Sequence, residues 1–303
     1  MDIFDRRIVR QRRQRAASTL PEHQFLLLDV AERLADRLDD IRRRFPLALD
    51  LGCHQGQLAG VLAGRGGIET LVHADLSEDM ALRVPVPVVV ADEEALPFAD
   101  GSFDLIMSLL SLHWVNDLPG ALVQIRRALR PDGFFVAAML GGKTLYELRT
   151  ALADAEIAGE GGISPRISPF ADVRDVGNLL QRAGFALPVA DVETIKVSYQ
   201  DPLNLLRDLR GMGETNAALM RRKTFSRRST LFDSLRRYRD MFATADGRIP
   251  ATFQIVFMAG WAPDPSQQQP LRPGSAKVNL ADALSAPSAS TYGSMGGGDG
   301  PDC

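Results

Sequence analysis

Cysteine is nearly missing from this 303-residue chain, which has only Cys53 and Cys303. Two thiols cannot build the disulfide framework of a small secreted domain, so a reducing compartment is expected. Lysine is almost as scarce: Lys143, Lys196, Lys223 and Lys277 are the four, and arginine supplies the other 31 of the 35 basic residues. Neither sign of charge dominates. Against 38 acidic residues the balance is −3, which removes any whole-chain electrostatic argument for nucleic acid. No uncharged apolar run reaches the eighteen or so residues of a membrane helix. What is present, 45% hydrophobic and 24% charged residues, is the make-up of a globular protein of one large or two small domains.

The chain opens on a basic run, Arg6, Arg7, Arg10, Arg12, Arg13 and Arg15. Asp2 and Asp5 precede it, which argues against an acid-poor presequence and favours a solvated basic helix face. From Pro21 to Phe45, apolar residues recur at Leu27, Ala31, Leu34, Leu38, Ile41 and Phe45, predicting one helix that Pro46 stops. Five short apolar runs follow as strand candidates: Leu47–Leu51, Ile68–Ala74, Val86–Ala91, Phe103–Leu109 and Phe134–Leu140. Helical patterns such as Gln55–Ala63 and Leu118–Leu129 lie between most of them, the latter closed by Pro131-Asp132-Gly133. Strands spaced by helix-length segments predict right-handed βαβ units and an α/β fold with a doubly wound, mostly parallel sheet. Further helices are expected over Thr144–Ala158, near Asp172–Ala183 and within 200–245, with strands at Val192–Tyr199 and Thr252–Trp261. The expected division is a helical cover over 1–45, an α/β domain over 46–262 with a helical insertion near 200–245, and a Pro-, Ser- and Gly-rich disordered tail over 263–303.

The chemistry concentrates at the end of the first strand, in Asp50-Leu51-Gly52-Cys53-His54-Gln55-Gly56. A glycine turn between a buried strand and a helix lets a ligand approach the backbone, and open α/β sheets bind ligands at the carboxyl ends of their strands. No Gly-Lys-Ser/Thr follows, which excludes a P-loop. Asp50, two residues before Gly52, would repel a phosphate and suits a cationic ligand. S-adenosylmethionine answers that description, with an ammonium, a sulfonium and no phosphate. Asp75 closes the second strand candidate 19 residues after Gly56, where Rossmann-like sites carry the carboxylate that accepts ribose hydroxyls. Asp92, with Glu93 beside it, closes the third and could accept from an adenine amino group. Asp50, Gly52, His54, Gly56, Asp75, Asp92 and Glu93 are therefore the candidate cofactor residues. His73, Asp75 and His113 offer a competing two-His-one-carboxylate iron set. Asp75 is better spent on ribose, and no metal site is expected.

The acid followed by a glycine turn resembles the first motif of the class I S-adenosylmethionine-dependent methyltransferases. So do Leu96-Pro97-Phe98, Phe103-Asp104-Leu105-Ile106 and Leu129-Arg130-Pro131-Asp132-Gly133. His54 stands where that family has its middle glycine. A longer resemblance runs from Phe4-Asp5-Arg6 to Gly260-Trp261. It is carried by Ser111-Leu112-His113-Trp114-Val115-Asn116-Asp117, Gly141-Gly142-Lys143-Thr144-Leu145-Tyr146-Glu147-Leu148-Arg149, Ile167-Ser168-Pro169-Phe170, Gly211-Met212-Gly213-Glu214-Thr215-Asn216 and Pro250-Ala251-Thr252-Phe253-Gln254-Ile255. These segments look like the complex I assembly factors with a methyltransferase fold. The resemblance implies arginine hydroxylation or methylation of a protein substrate, an iron–sulfur subunit of complex I among the candidates. More distant relatives in biotin synthesis methylate malonyl-acyl carrier protein. Because Phe4-Asp5-Arg6 already belongs to the shared region, a bacterial cytoplasmic protein is expected.

For transfer to an acceptor, the candidate catalytic residues are His113, Trp114, Tyr146 and Arg149. An O-methyltransferase of malonyl-acyl carrier protein or a small acid, and a non-catalytic assembly chaperone, remain as alternatives. The stretch Arg207–Asp240 carries ten basic against four acidic residues. It reads as a solvated face or as a docking surface for an acidic protein, with too few aromatics for nucleic acid.

Overall fold

Seven strands form one sheet in the computed structural model, which describes residues 2–268 and positions 274, 275 and 279. They are β1 (Leu47–Leu51), β2 (Thr70–Asp75), β3 (Val88–Val90), β4 (Phe103–Leu109), β5 (Leu129–Leu140), β6 (Ala186–Tyr199) and β7 (Ile249–Trp261). Their order is β3-β2-β1-β4-β5-β7-β6. The first five are parallel, and β7 lies antiparallel between β5 and β6. The chain reverses direction in the sheet between β3 and β4, across β1, so the carboxyl ends of β1, β2 and β4 converge at one crevice.

The strands are sorted by burial. All seven residues of β4 are buried, as befits a central strand covered on both faces. In β5 the two faces alternate. Phe134, Val136, Ala138 and Leu140 enter one core, and Phe135, Ala137 and Met139 the other. The first core is closed by α3 (Phe25–Asp39), α7 (Tyr146–Glu160), α9 (Pro202–Gly211) and α10 (Arg228–Phe242). The second is closed by α6 (Leu118–Ala128) and α8 (Val173–Arg182). Completing the helices are α1 (Arg6–Ala16), α2 (Leu20–His23), α4 (Gln57–Leu62) and α5 (Glu78–Ala81). Aspartate starts four of them. Asp5, Asp117, Asp172 and Asp201 each accept a backbone N–H of the first turn, which such a turn otherwise leaves unpaired.

Several expected boundaries move. The helix read over Pro21–Phe45 is two, α2 and α3, and it ends at Asp39 rather than at Pro46. Phe45 fitted the helical spacing, but it lies beyond the helix, fully buried, with its ring 6.0 Å from Phe134 and 6.3 Å from Trp261. The turn Pro131-Asp132-Gly133 lies inside β5, which starts at Leu129 and shifts register beside Phe103. Strand β6 begins six residues earlier than its apolar run, because an edge strand exposes alternate side chains such as Leu187 and Val189 to water. The tail expected to be disordered lies, beyond 268, outside the described residues apart from three positions.

Phe45 joins the chain leaving α3 to the sheet. Phe45→Ala should cost about 3–5 kcal/mol, read as a lowered urea midpoint with an unchanged denaturant slope.

Candidate active site

The turn after β1 is a backbone cradle. Gly52 has φ +72° and donates its N–H to the Ala74 carbonyl at 2.7 Å. A Cβ there would collide with Ser111, so no other residue fits. His54 takes the left-handed conformation without being glycine, at φ +50°. Its N–H donates to Asp75 Oδ2 at 3.0 Å and its Nε2 to the Leu109 carbonyl at 3.0 Å. The imidazole is buried, and its Nδ1 has no partner among the described residues. Burial, reinforced by the charge of Arg13, lowers its pKa and keeps the ring neutral. Cys53, also buried, has its thiol pushed up by burial and then by Asp50 and Asp75, so it is not a nucleophile.

Carboxylates from three successive strand ends surround this cradle. Asp50 is fully buried, with Oδ2 3.3 Å from His73 Nδ1 and Oδ1 without a partner among the described residues. Asp75 Oδ1 accepts the Ser77 N–H at 2.7 Å. Glu93 accepts the Ser111 hydroxyl on Oε1, while its Oε2 and Asp92 Oδ1 share the guanidinium of Arg6. Arg13 then enters from α1. One terminal nitrogen lies 3.3 Å from Asp75 Oδ2 and 3.2 Å from Glu93 Oε1, and the other donates to Ser111 Oγ at 2.8 Å. Burial alone would raise the Glu93 pKa, but Arg13 and Arg6 outweigh it and hold it at about 2.

Sequence reasoning missed these two cations. The basic run is not simply a solvated face, because Arg13 is 2% exposed and Arg6 is held by acids. A signal did exist: Val9, Arg13 and Ala16 share the spacing of one helix face, and all three are buried.

A second cluster is built on Glu214, which was quoted in the sequence only as part of a family segment. His113 Nε2 donates to Glu214 Oε2 at 2.9 Å, and Trp114 Nε1 donates to the same oxygen at 3.1 Å. Burial opposes ionisation of Glu214, but its interaction with His113 prevails and lowers its pKa. Trp114 and Glu214 line a cavity of about 170 Å³ whose other walls include Leu26, Leu148, Phe170 and Phe253.

Of the four expected catalytic residues, Trp114 lines that cavity and His113 meets it through Glu214, while Tyr146 and Arg149 do neither. Tyr146 is 44% exposed and stacks edge-on with Phe242. Arg149 donates to the carbonyls of Gly142 and Thr144 and lines a separate hollow with Arg166. Both belong to the family segment that runs from Gly141 to Arg149, and Arg149 folds back on the glycine turn of that segment instead of lining the cavity. The iron set does not assemble either. His73 faces Asp50 and His113 faces Glu214, and among the described residues no three His, Cys, Asp or Glu groups could hold a metal ion. In the Arg207–Asp240 stretch four basic residues pair with acids, Arg221 with Asp5, Arg222 with Glu160, and Arg236 and Arg237 with Asp233. Lys223, Arg227 and Arg228 stay exposed.

A sheet of this order, with a glycine turn after β1 and acids at the ends of β1, β2 and β3, defines a class I methyltransferase fold. A model of the methyltransferase domain matches residues 49–137. The YcgJ protein of Bacillus subtilis, at 16% identity, shares the fold with a TM-score of 0.52 over 76% of this chain and 98% of its own. The mitochondrial arginine-hydroxylase NDUFAF5 of Danio rerio is 46% identical over 93% of this chain and 89% of its own. A malonyl-[acyl-carrier protein] O-methyltransferase of Methylovorus sp. (strain MP688) is 33% identical over 93% and 94%. The chain belongs to the NDUFAF5 arginine-hydroxylase family.

Set against S-adenosylmethionine, the residues fit in kind. Asp50 Oδ1 is a buried acceptor without a partner among the described residues, and Gly52 offers bare backbone. They do not fit in occupancy, because Arg13 holds Asp75 and Glu93.

An acid whose pKa falls on folding adds stability above its ordinary value and loses it as pH drops through the folded value. Glu93→Gln should therefore unfold more readily than the parent at pH 7. The gap should narrow as pH falls from about 4.5 to about 2. Equal gaps in urea midpoint at pH 7 and pH 3 would contradict an ionised, paired Glu93.

Proposed function

We propose that the chain modifies an arginine side chain of a protein substrate during respiratory complex I assembly. An iron–sulfur subunit is the substrate to try first, and the cofactor site is that of S-adenosylmethionine. The observation that carries this reading is an apolar cavity with the Glu214 carboxylate in its lining. An arginine has the matching shape. Its methylenes would pack against Leu26, Leu148 and Phe170, and its guanidinium would meet a carboxylate that His113 and Trp114 already orient.

The same carboxylate disfavours a malonyl group, whose own negative charge would face Glu214. Arg166 also lines the cavity, but its guanidinium is committed to Glu156 and Ser226. S-adenosylmethionine, when bound, supplies an activated methyl group. The family's named reaction is instead a hydroxylation, so the mass of the product decides between them. The closure of Arg13 over Asp75 favours, as second reading, an assembly chaperone without turnover. A cytoplasmic setting belongs to the same proposal and is supported by the low cysteine content and by a buried, free Cys53. Among the described residues no helix is long and apolar enough to cross a membrane.

Intact-mass spectrometry of the candidate subunit from parent and deletion cells is the test. A difference of one oxygen on an arginine supports hydroxylation, one methylene supports methylation, and none supports the chaperone. Glu214→Gln, which keeps the size and removes the charge, should lower the modified fraction at least tenfold. Full modification by that variant would overturn the role given to Glu214.

A further inference from the structure

The cofactor crevice carries a feature that its chemistry does not require. The deepest carboxylates are occupied by a side chain of the protein itself. Arg13 is wholly enclosed and reaches acids from two strand ends together with Ser111, while Gly52 and His54 form the wall beside it. Asp75 is the residue read as the ribose acceptor, and one of its oxygens is divided between the His54 N–H and Arg13.

The fit of Arg13 is serviceable rather than tight. Its two contacts to carboxylates, at 3.2 and 3.3 Å, are long for charge-assisted hydrogen bonds, which usually span about 2.7–2.9 Å. Its Nε is buried with no partner among the described residues. A buried donor left unpaired is a cost that withdrawal would remove. Two ribose hydroxyls could take the place of the guanidinium at the same acceptors, since a hydroxyl donates as the guanidinium does.

The rest of α1 is secured, which locates the moving part. Before the helix, the Asp5 N–H donates to the Ala217 carbonyl at 2.9 Å and the Leu219 N–H to the Ile3 carbonyl at 2.8 Å. Phe4 packs edge-on against Trp114 with ring centres 5.4 Å apart. Arg12 donates to the Thr215 carbonyl at 2.6 Å, and beyond the helix Gln55 donates to the Ala17 carbonyl. Release of the crevice therefore needs Arg13 to swing out, with no departure of the helix.

We propose that Arg13 is a latch: its guanidinium and the cofactor's ribose compete for Asp75 and Glu93, so S-adenosylmethionine binds only to molecules in which Arg13 has withdrawn. The proposal rests on the S-adenosylmethionine reading of the site. Apparent affinity is then the intrinsic affinity multiplied by the unlatched fraction. If that fraction is about a tenth or less, removal of the latch strengthens binding at least tenfold.

Calorimetric titration of S-adenosylhomocysteine into the full chain tests this without turnover. Three proteins are compared: the parent, Arg13→Gln, and Arg10→Gln as an exposed control on the same helix. The expected result is at least tenfold tighter binding to Arg13→Gln and no change for Arg10→Gln. Hydrogen exchange should show folded Arg13→Gln protein with intact protection in β1 and β4, so that a misfolded variant is recognised. If Arg13→Gln is not folded by that criterion, Arg13→Lys takes its place. Its cation, one bond closer to the backbone, stops short of the point between Asp75 and Glu93 that one Arg13 nitrogen occupies, and the same tightening is expected. Unchanged or weaker binding in the folded variant overturns the latch alone and makes Arg13 a structural ion or a clamp on the ligand. Absence of binding to every protein overturns the cofactor reading and the latch together.

Discussion

Negative charge gathered in a dry crevice is the constraint around which the molecule is arranged. Asp50, Asp75 and Glu93 sit at the carboxyl ends of neighbouring strands, all at most 1% exposed. Carboxylates so placed repel one another and cannot be left unpaired in a medium of low polarity. The imidazole of His73 attends to Asp50, and the guanidiniums of Arg6 and Arg13 attend to the others. A helix that looks like a basic appendage in the linear chain is therefore part of the interior. The pairing also explains why Glu93 stays ionised at a depth where an isolated carboxyl would hold its proton.

The sheet was legible because its evidence is local. Short, mostly apolar runs of five to seven residues read directly as β1 and β4, and the glycine turn after β1 announced the crevice. Asp50 and Asp75 could be named because a strand end is visible in sequence. What could not be read was pairing at a distance. Glu214 lies 101 residues from His113, and Arg13 lies 62 from Asp75 and 80 from Glu93, so no periodicity links them. Tyr146 and Arg149 were named from a family segment, which carries no geometry. Arg149 folds back on the carbonyls of Gly142 and Thr144, and Tyr146 packs on Phe242.

His54 shows how a departure from a family pattern can be absorbed. A glycine in the middle of the turn would leave the loop held by backbone alone. The histidine instead spends one ring nitrogen on the Leu109 carbonyl, tying the turn after β1 to the end of β4. Left-handed backbone is unfavourable for such a residue, and that hydrogen bond offsets part of the cost. The wall of the crevice is consequently stiff, and adjustment to any ligand falls on the side chains that face it.

The attachment of α1 to residues 215–219 has a thermodynamic consequence. Arg12 grips the Thr215 carbonyl, one residue beyond the acid that lines the acceptor cavity, while Arg13, its neighbour in the chain, reaches the opposite crevice. One turn of helix thus touches both halves of the site. Occupancy on one side that shifts this turn alters the free energy of occupancy on the other, and linkage makes the two effects equal in size. On the proposed function, a cofactor that displaces Arg13 would perturb the turn that Arg12 fastens to Thr215, and cofactor and acceptor would then be coupled ligands.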